Sequence, residues 1–109
     1  MSEKPLDIEV AILTASFDAM PGCEQELAAV LAQYTVMTRH EPGCRNVDLV
    51  FASTNTGRFL TIQKWESNDV ARAHLDSEVM VAMAQEALPL LSTKPTLDLW
   101  DSISAHDLA

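Results

Sequence analysis

The feature that most limits how this chain can fold is its first apolar run, residues 8–17. Successive side chains of an extended strand point to opposite faces. Both faces of this run are apolar: one carries Ile8, Val10 and Ile12, and the other carries Ala11, Leu13, Ala15 and Phe17. A strand of this kind needs apolar cover on both sides. The run therefore predicts a strand in a sheet that is covered on each face.

The next segment has the spacing of an amphipathic helix. Pro21-Gly22 predicts a turn after the first strand. Apolar residues then recur at offsets of three and four, as Leu27, Val30, Leu31, Tyr34 and Met37. Pro42-Gly43 stops the pattern, because the residue before a proline is pushed out of helical geometry. We therefore predict a helix over residues 23–40.

Two further strands are predicted over residues 44–53 and 58–66. The four residues between them have hairpin chemistry, with Gly57 available for a positive φ. In the second strand Phe59, Thr61, Gln63 and Trp65 share one face. A face that mixes polar and aromatic side chains favours a lined cavity over a dry core.

The second helical region is predicted to be split. Ser67 is a favourable N-cap for its first part. His74 lies four residues after Val70 on the same face, so its side chain is predicted to point inward. The segment 76–78 predicts a bend or a second cap, after which a helix continues until Pro89 ends or kinks it. A last strand is predicted over residues 96–104.

The predicted order of elements is β-α-β-β-α-β, which is typical of the ferredoxin-like split βαβ fold of the α+β class. This fold has a four-stranded antiparallel sheet with helices on one face. The strands are apolar on both faces, so the open face needs a partner. A homodimer that forms through this open sheet face is the simplest solution.

Length and charge exclude several classes of protein. A chain of 109 residues with 48% hydrophobic residues has the length of one domain, predicted over residues 1–109 with a core of about 8–104 and short flexible termini. The formal net charge of −9 opposes binding to nucleic acid or to an anionic membrane. The sequence lacks a signal peptide pattern and an apolar segment of the roughly 20 residues that span a bilayer. We expect a cytoplasmic protein.

The two cysteines, Cys23 and Cys44, predict no disulfide scaffold and no zinc site, because they lack close spacing and histidine companions. Two reduced thiols are expected, and a regulatory disulfide is the alternative. We expect no metal and no cofactor.

His74 is the candidate catalytic base, because an unperturbed imidazole titrates near neutral pH. Trp65 and Trp100 are candidate substrate-binding residues that supply flat apolar walls and indole donors. Gln63 and Asn46 are candidates for orienting a carbonyl or hydroxyl group by hydrogen bonds. The alternative is structural: His74 makes a hydrogen bond inside the core, and Trp65 serves packing alone.

Several short motifs occur in the order and spacing of a known family. They are Pro21-Gly22 before a helix, Glu41-Pro42-Gly43-Cys44 before a strand, Trp65-Glu66-Ser67, and His74 followed by Ser77. In these the chain resembles the antibiotic biosynthesis monooxygenase superfamily of dimeric α+β barrels. The resemblance implies a homodimer with a pocket between sheet and helices in each subunit. Several such proteins oxygenate quinols or aromatic polyketides with molecular oxygen and without metal or flavin.

The chain also departs from the pattern of this superfamily. Gln63 stands where relatives commonly have an acidic residue, and Val47 stands where a tyrosine is common. Glu78-Val79 replaces a frequent Pro-His pair. The haem-degrading branch has its iron ligand at the position of Ala84, so haem ligation of that kind is not expected.

Two functions from different classes follow. The first is a cofactor-independent monooxygenase that acts on a quinol or a related small aromatic compound. The second is a catalytically silent dimeric module that binds a small aromatic or apolar ligand. Both predict a pocket near Trp65 and His74, and they differ in turnover.

Overall fold

The computed structural model describes the backbone of residues 7–104 and 106–108, and the side chains of residues 10–104. The elements follow the chain as β1 (Asp7–Glu9), β2 (Ala11–Asp18), α1 (Glu24–Arg39), β3 (Cys44–Ala52), β4 (Asn55–Trp65), α2 (Asn68–His74), α3 (Glu78–Ala87), a 3₁₀ turn (Leu88–Leu90), β5 (Thr96–Trp100) and β6 (His106–Leu108).

Four strands form one antiparallel sheet in the order β3-β4-β2-β5. The two strands that are adjacent at the centre, β2 and β4, are separated in the chain by α1 and β3. This order, with helices after the first and third strands, is the ferredoxin-like fold. The α+β class and the split βαβ arrangement predicted from the sequence are confirmed.

The helices cover one face of this sheet. Phe17, Leu27, Leu31 and Phe59 are nearly inaccessible to solvent and form the main core between β2, β4 and α1. A second apolar cluster, made by Ala11, Leu13, Trp65 and Ala71, lies between the sheet and α2. The site residues described below join these two clusters, since Tyr34 belongs to the first and Trp65 to the second.

Both parts of the split helical region begin at a serine. Ser67 accepts a hydrogen bond from the Val70 backbone N–H at 3.1 Å, and Ser77 accepts one from the Met80 N–H at 3.1 Å. These caps satisfy backbone donors that have no partner within the helix. The predicted second cap is confirmed, and Pro89 lies in the 3₁₀ turn that follows α3.

Three local predictions need correction. The strand predicted over residues 8–17 is divided at Val10, because β1 pairs with β6 and not with the main sheet. The last strand ends at Trp100 rather than at residue 104. Gly57 does not use a positive φ, since β4 begins at Asn55 and Gly57 lies within this strand.

The opposite face of the sheet has no cover from the described residues. Its central row pairs Ile62 with Thr14, and Trp100 lies beside Ile12 with 52% of its surface exposed. Apolar and polar side chains alternate across this face. In the described part of the chain, no helix is both long and apolar enough to cross a membrane.

Candidate functional site

Five polar or aromatic side chains from four parts of the fold meet between the sheet and the helices. Gln63 and Trp65 come from β4, Tyr34 from α1, His74 from the last turn of α2, and Glu41 from the turn between α1 and β3. We call this set the buried network. Four of its members have 3% or less of their surface exposed, and the Glu41 side chain has 20% exposed.

The hydrogen bonds of the buried network form a continuous chain. The Trp65 indole N–H donates to Gln63 Oε1 at 3.0 Å. Gln63 Nε2 donates to the Tyr34 hydroxyl at 3.0 Å. That hydroxyl lies 2.5 Å from His74 Nε2, and His74 Nδ1 lies 3.1 Å from Glu41 Oε1. Each of the five side chains therefore has at least one hydrogen-bond partner within the buried network.

The chemistry of the two ends fixes the direction of proton donation. An ionised carboxylate only accepts hydrogen bonds, so His74 Nδ1 carries the proton that faces Glu41. His74 Nε2 is then the acceptor, and the Tyr34 O–H donates to it. Each group thus donates a hydrogen bond to the next one, from Trp65 through Gln63, Tyr34 and His74 to Glu41.

The environment of Tyr34 keeps its hydroxyl protonated. Burial raises the pKa of Tyr34 to about 12, because removing the phenolate from water costs more than the Gln63 hydrogen bond returns. Met80 Sδ lies 3.5 Å from the same hydroxyl, but a thioether is a weak acceptor compared with an imidazole. Tyr34 therefore enters any reaction at neutral pH as a proton donor.

Aromatic contacts hold the imidazole in place. The rings of Trp65 and His74 have centroids 4.7 Å apart and are inclined by 32°. Ser77 Oγ lies 3.4 Å from His74 Nδ1, on the side of Glu41. The ring is thus confined by a stacked indole on one side and by polar contacts at both nitrogens, which limits its rotation.

Gly43 brings Glu41 close to His74. Its φ of +84° belongs to the region that glycine tolerates, and a Cβ there would lie 2.5 Å from Val70 Cγ1 of α2. The Gly43 carbonyl accepts the Glu66 N–H at 2.9 Å. The turn after α1 can therefore pack directly against the start of α2, and this contact places the carboxylate beside the imidazole.

Glu41 makes an incomplete set of contacts. Its Oε2 lies 3.0 Å from His74 Nδ1, yet that oxygen has no aligned hydrogen-bond donor. The single Nδ1–H of His74 cannot donate equally to both oxygens of Glu41. The second oxygen can therefore stabilise a positive charge that forms on the imidazole ring. Thr38 Oγ1, one helical turn after Tyr34, is also buried without a hydrogen-bond partner.

A groove of about 280 Å³ opens beside the network, between α1 and α3. Val30 and Met37 line it from α1, and Val79, Ala82 and Met83 line it from α3. Tyr34 also lines the groove. Tyr34 thus belongs both to the buried network and to a cavity that is open to solvent.

The structure brings together three of the five candidate residues named from the sequence. His74, Gln63 and Trp65 belong to the buried network. Asn46 and Trp100 lie on the opposite face of the sheet, where Asn46 donates to Asp48 Oδ2 at 3.3 Å and the Trp100 indole donates to Thr14 Oγ1 at 2.8 Å. These two residues cannot contact a ligand that lies against His74.

Tyr34 and Glu41 were not singled out from the sequence. The sequence pattern places Tyr34 on an apolar stripe and Glu41 in the motif that precedes the second strand. A signal for Tyr34 was present, because a tyrosine on a buried stripe needs a partner for its hydroxyl. Nothing local indicated Glu41, which reaches His74 across 33 positions of sequence.

Cys23 and Cys44 are both free thiols with intermediate burial. Burial raises the pKa of the Cys44 thiol, so this group is not poised as a nucleophile. Within the described residues, no group of three or more His, Cys, Asp or Glu side chains is arranged to hold a metal ion.

The sequence model of the antibiotic biosynthesis monooxygenase family matches residues 11–86. The chain belongs to this family. The match extends from β2 to near the end of α3, and it includes all five residues of the buried network. A search of curated protein sequences finds no significant match.

Solved structures of the same fold are similar over most of their length. Rv0793 from Mycobacterium tuberculosis has a TM-score of 0.81 at 21% identity, covering 88% of this chain and 97% of that one. PA3566 from Pseudomonas aeruginosa has a TM-score of 0.78 at 22% identity, covering 88% and 96%. A protein described as antibiotic biosynthesis monooxygenase has a TM-score of 0.78 at 19% identity, covering 85% and 98%. At these identities the similarity concerns the fold.

Proposed function

We propose that this chain is a cofactor-independent monooxygenase that oxygenates a quinol or a related small aromatic compound with molecular oxygen. The observation that carries this proposal is the one-way hydrogen-bond chain that ends at His74 and Glu41. Quinols become reactive towards oxygen when they lose a proton. A protein that promotes this reaction needs a base, a stabilised counter-charge and a site that excludes water.

The His74–Glu41 pair meets the first two needs. His74 Nε2 is the acceptor nitrogen of the ring and accepts the Tyr34 O–H, and a proton that is transferred to it makes an imidazolium beside the Glu41 carboxylate. The carboxylate also holds the ring in the required tautomer, as the acid of a catalytic triad does. Trp65 and the core behind it keep water away from the imidazole.

The reaction balances without a cofactor. The quinol gives one proton to His74, and oxygen then adds to a ring carbon of the quinolate. The peroxide that forms takes this proton back from His74 to give a hydroperoxide, which loses water, so a quinol and one O₂ give a hydroxyquinone and one H₂O. The protein supplies proton transfer and electrostatic stabilisation, while the substrate supplies the electrons.

His74→Ala is expected to lower turnover by about 100-fold or more, which is the usual contribution of a positioned base. Oxygen consumption by metal-free protein with a panel of hydroquinones measures this effect. His40→Ala is the matched control, because His40 is exposed at the C-cap of α1 and outside the buried network. Circular dichroism establishes that both variants are folded.

Wild-type protein that consumes oxygen no faster than buffer for every quinol in the panel would overturn the monooxygenase proposal. Equal loss of turnover in His74→Ala and His40→Ala would contradict the assignment of His74.

The second candidate function is a binding module of the same fold without catalysis. The observation that favours it is the centre of the buried network, where Tyr34, Gln63 and His74 already serve as hydrogen-bond partners of one another. A network of this kind also serves as a rigid internal support. Binding of a small aromatic ligand with no turnover would select this function.

We also propose that the chain acts as a homodimer through the uncovered face of the sheet. Wild-type protein is expected to have a dimeric mass by sedimentation at micromolar concentration, because the apolar side chains of this face lack cover from the described residues. Ile62→Glu, at the centre of the face, is expected to give a monomer. Val36→Glu is the control, since Val36 is exposed on α1. A monomeric wild-type mass would contradict this proposal.

A further inference from the structure

We infer that the groove between α1 and α3 is the ligand-binding site and that it binds an uncharged or cationic aromatic compound of one or two rings. In this site Tyr34 transfers the proton of the ligand to His74. The proton-transfer part rests on the proposed function. The binding part does not, because it follows from the shape and charge of the groove.

The groove has the size and lining of a site for a small ring system. Its volume of about 280 Å³ is close to the lower end of the roughly 300–1,000 Å³ of small-molecule sites. Val30, Met37 and Val79 make apolar walls, and Met83 adds a polarisable side chain that packs favourably on aromatic faces. A flat ligand of one or two rings fits these walls.

The charge at the groove selects against anions. Glu78 and Glu86 of α3 both line it, two turns apart on the same helix, and Gln33 faces them from α1. None of the described residues that line it is a lysine or an arginine. An anionic ligand would meet two carboxylates without a counter-charge, so it is disfavoured by roughly fivefold or more at low ionic strength.

Tyr34 connects the groove to the base. It lines the groove, and its hydroxyl donates to His74 Nε2. A phenol oxygen can accept two hydrogen bonds while it donates one, and Gln63 Nε2 uses one of these two acceptor positions. A ligand hydroxyl that donates to Tyr34 can therefore release its proton to the phenol oxygen as the phenol proton moves to His74.

This transfer conserves protons and avoids a buried phenolate. The ligand O–H bond breaks as a new Tyr34 O–H bond forms, and the original Tyr34 O–H bond breaks as His74 Nε2–H forms. The products are a quinolate whose oxygen accepts the new Tyr34 O–H, a neutral Tyr34, and an imidazolium beside Glu41. This quinolate has the imidazolium as its counter-charge, which an anion that enters the groove from solvent does not have. Tyr34 is in this account a catalytic residue, and His74 is the final proton acceptor.

Anaerobic calorimetry with two matched probes tests the binding site. Uncharged 1,4-dihydroxynaphthalene is expected to bind, and its 2-sulfonate is expected to bind at least fivefold more weakly. Ala82→Trp fills the groove and is expected to weaken binding of the uncharged probe at least tenfold. Ala32→Trp is the control, because Ala32 is exposed on α1 and does not line the groove. Oxygen is absent, so this result does not depend on turnover.

Turnover with oxygen present tests the role of Tyr34. Tyr34→Phe is expected to lower kcat about 100-fold or more while KM and anaerobic binding stay within about threefold. A lower kcat with an unchanged KM indicates loss of proton transfer, whereas a damaged binding site would also raise KM. A kcat equal to that of the wild type would overturn the role of Tyr34.

The two proposals fail in different ways. Binding that Ala82→Trp abolishes, without turnover in any variant, supports the site and overturns the monooxygenase. Turnover that Ala82→Trp leaves unchanged supports the monooxygenase and overturns the site. If the uncharged probe does not bind, the assignment of the groove as the ligand-binding site is overturned. If the sulfonate binds with equal affinity, the selection against anions is overturned.

Discussion

Trp65→Ala is expected to lower the free energy of unfolding by about 3–5 kcal/mol, the usual cost of removing a large buried aromatic side chain. Trp65 has 1% of its surface exposed and packs with Ala11, Leu13 and Ala71 between the sheet and α2. It also stacks on His74 and donates to Gln63. The substitution leaves both a cavity and an unpaired amide oxygen.

Urea unfolding at a fixed protein concentration measures this loss. Phe51→Ala is the matched control, because Phe51 is an aromatic residue of the neighbouring strand with 59% of its surface exposed, so its loss is expected to be below about 1 kcal/mol. Trp65→Phe keeps a ring but removes the N–H, and its expected loss of about 1–3 kcal/mol remains measurable if the alanine variant does not fold. Equal losses of unfolding free energy for Trp65→Ala and Phe51→Ala would show that the apolar cluster around Trp65 does not hold α2 on the sheet.

Tyr34→Phe is expected to lower the free energy of unfolding by about 1–3 kcal/mol at pH 7, because it leaves the Gln63 donor and His74 Nε2 buried without their partner. It is also expected to change the dependence of stability on alkaline pH. Burial raises the pKa of Tyr34 from 10.0 to about 12 in the folded protein. The unfolded chain therefore releases this proton at a lower pH than the folded chain does.

The sign of the effect follows from proton binding. Below pH 10 both states keep the phenol proton, so the contribution of Tyr34 is fully present. Between pH 10 and about 12 the unfolded state binds fewer protons, and stability falls as the pH rises. Two pKa units correspond to a loss of about 2–3 kcal/mol across this window.

The difference between wild-type and Tyr34→Phe unfolding free energies, measured from pH 8 upward, isolates this contribution because other groups titrate in both proteins. Tyr34 is the single tyrosine of the chain, so the ultraviolet absorbance of phenolate reports its titration directly. Phenolate that appears with a midpoint near 10 in folded protein would contradict the burial of this hydroxyl.

Helices and strands of this fold were predictable because each depends on short-range periodicity. The stripe from Leu27 to Met37 indicated α1, and Pro42-Gly43 indicated its end. Alternation indicated that Gln63 and Trp65 share a face of β4, and both are buried on the helix side. These features depend on only a few neighbouring residues, so the local sequence is enough to predict them.

The division of the first strand at Val10 was not predictable in the same way. The apolar alternation continues through this position, and its local pattern is that of one strand. What divides it is a choice of partner: β2 pairs with β4 and β5, while β1 pairs with β6 at the other end of the chain. Partner choice is a long-range property that periodicity does not report.

For the site, the sequence by itself determined that His74, Gln63 and Trp65 point inward, because helical and strand periods assign each side chain to a face. Only the tertiary structure decided what those side chains meet. The cross-strand register places Asn46 and Trp100 on the other face, away from His74. Gln63 stands where relatives commonly have an acidic residue, and the close packing at Gly43 brings the carboxylate of Glu41 from another element beside His74. The physical reason is that periodicity fixes the face of an element, whereas contacts across 33 or 40 positions depend on how the elements pack.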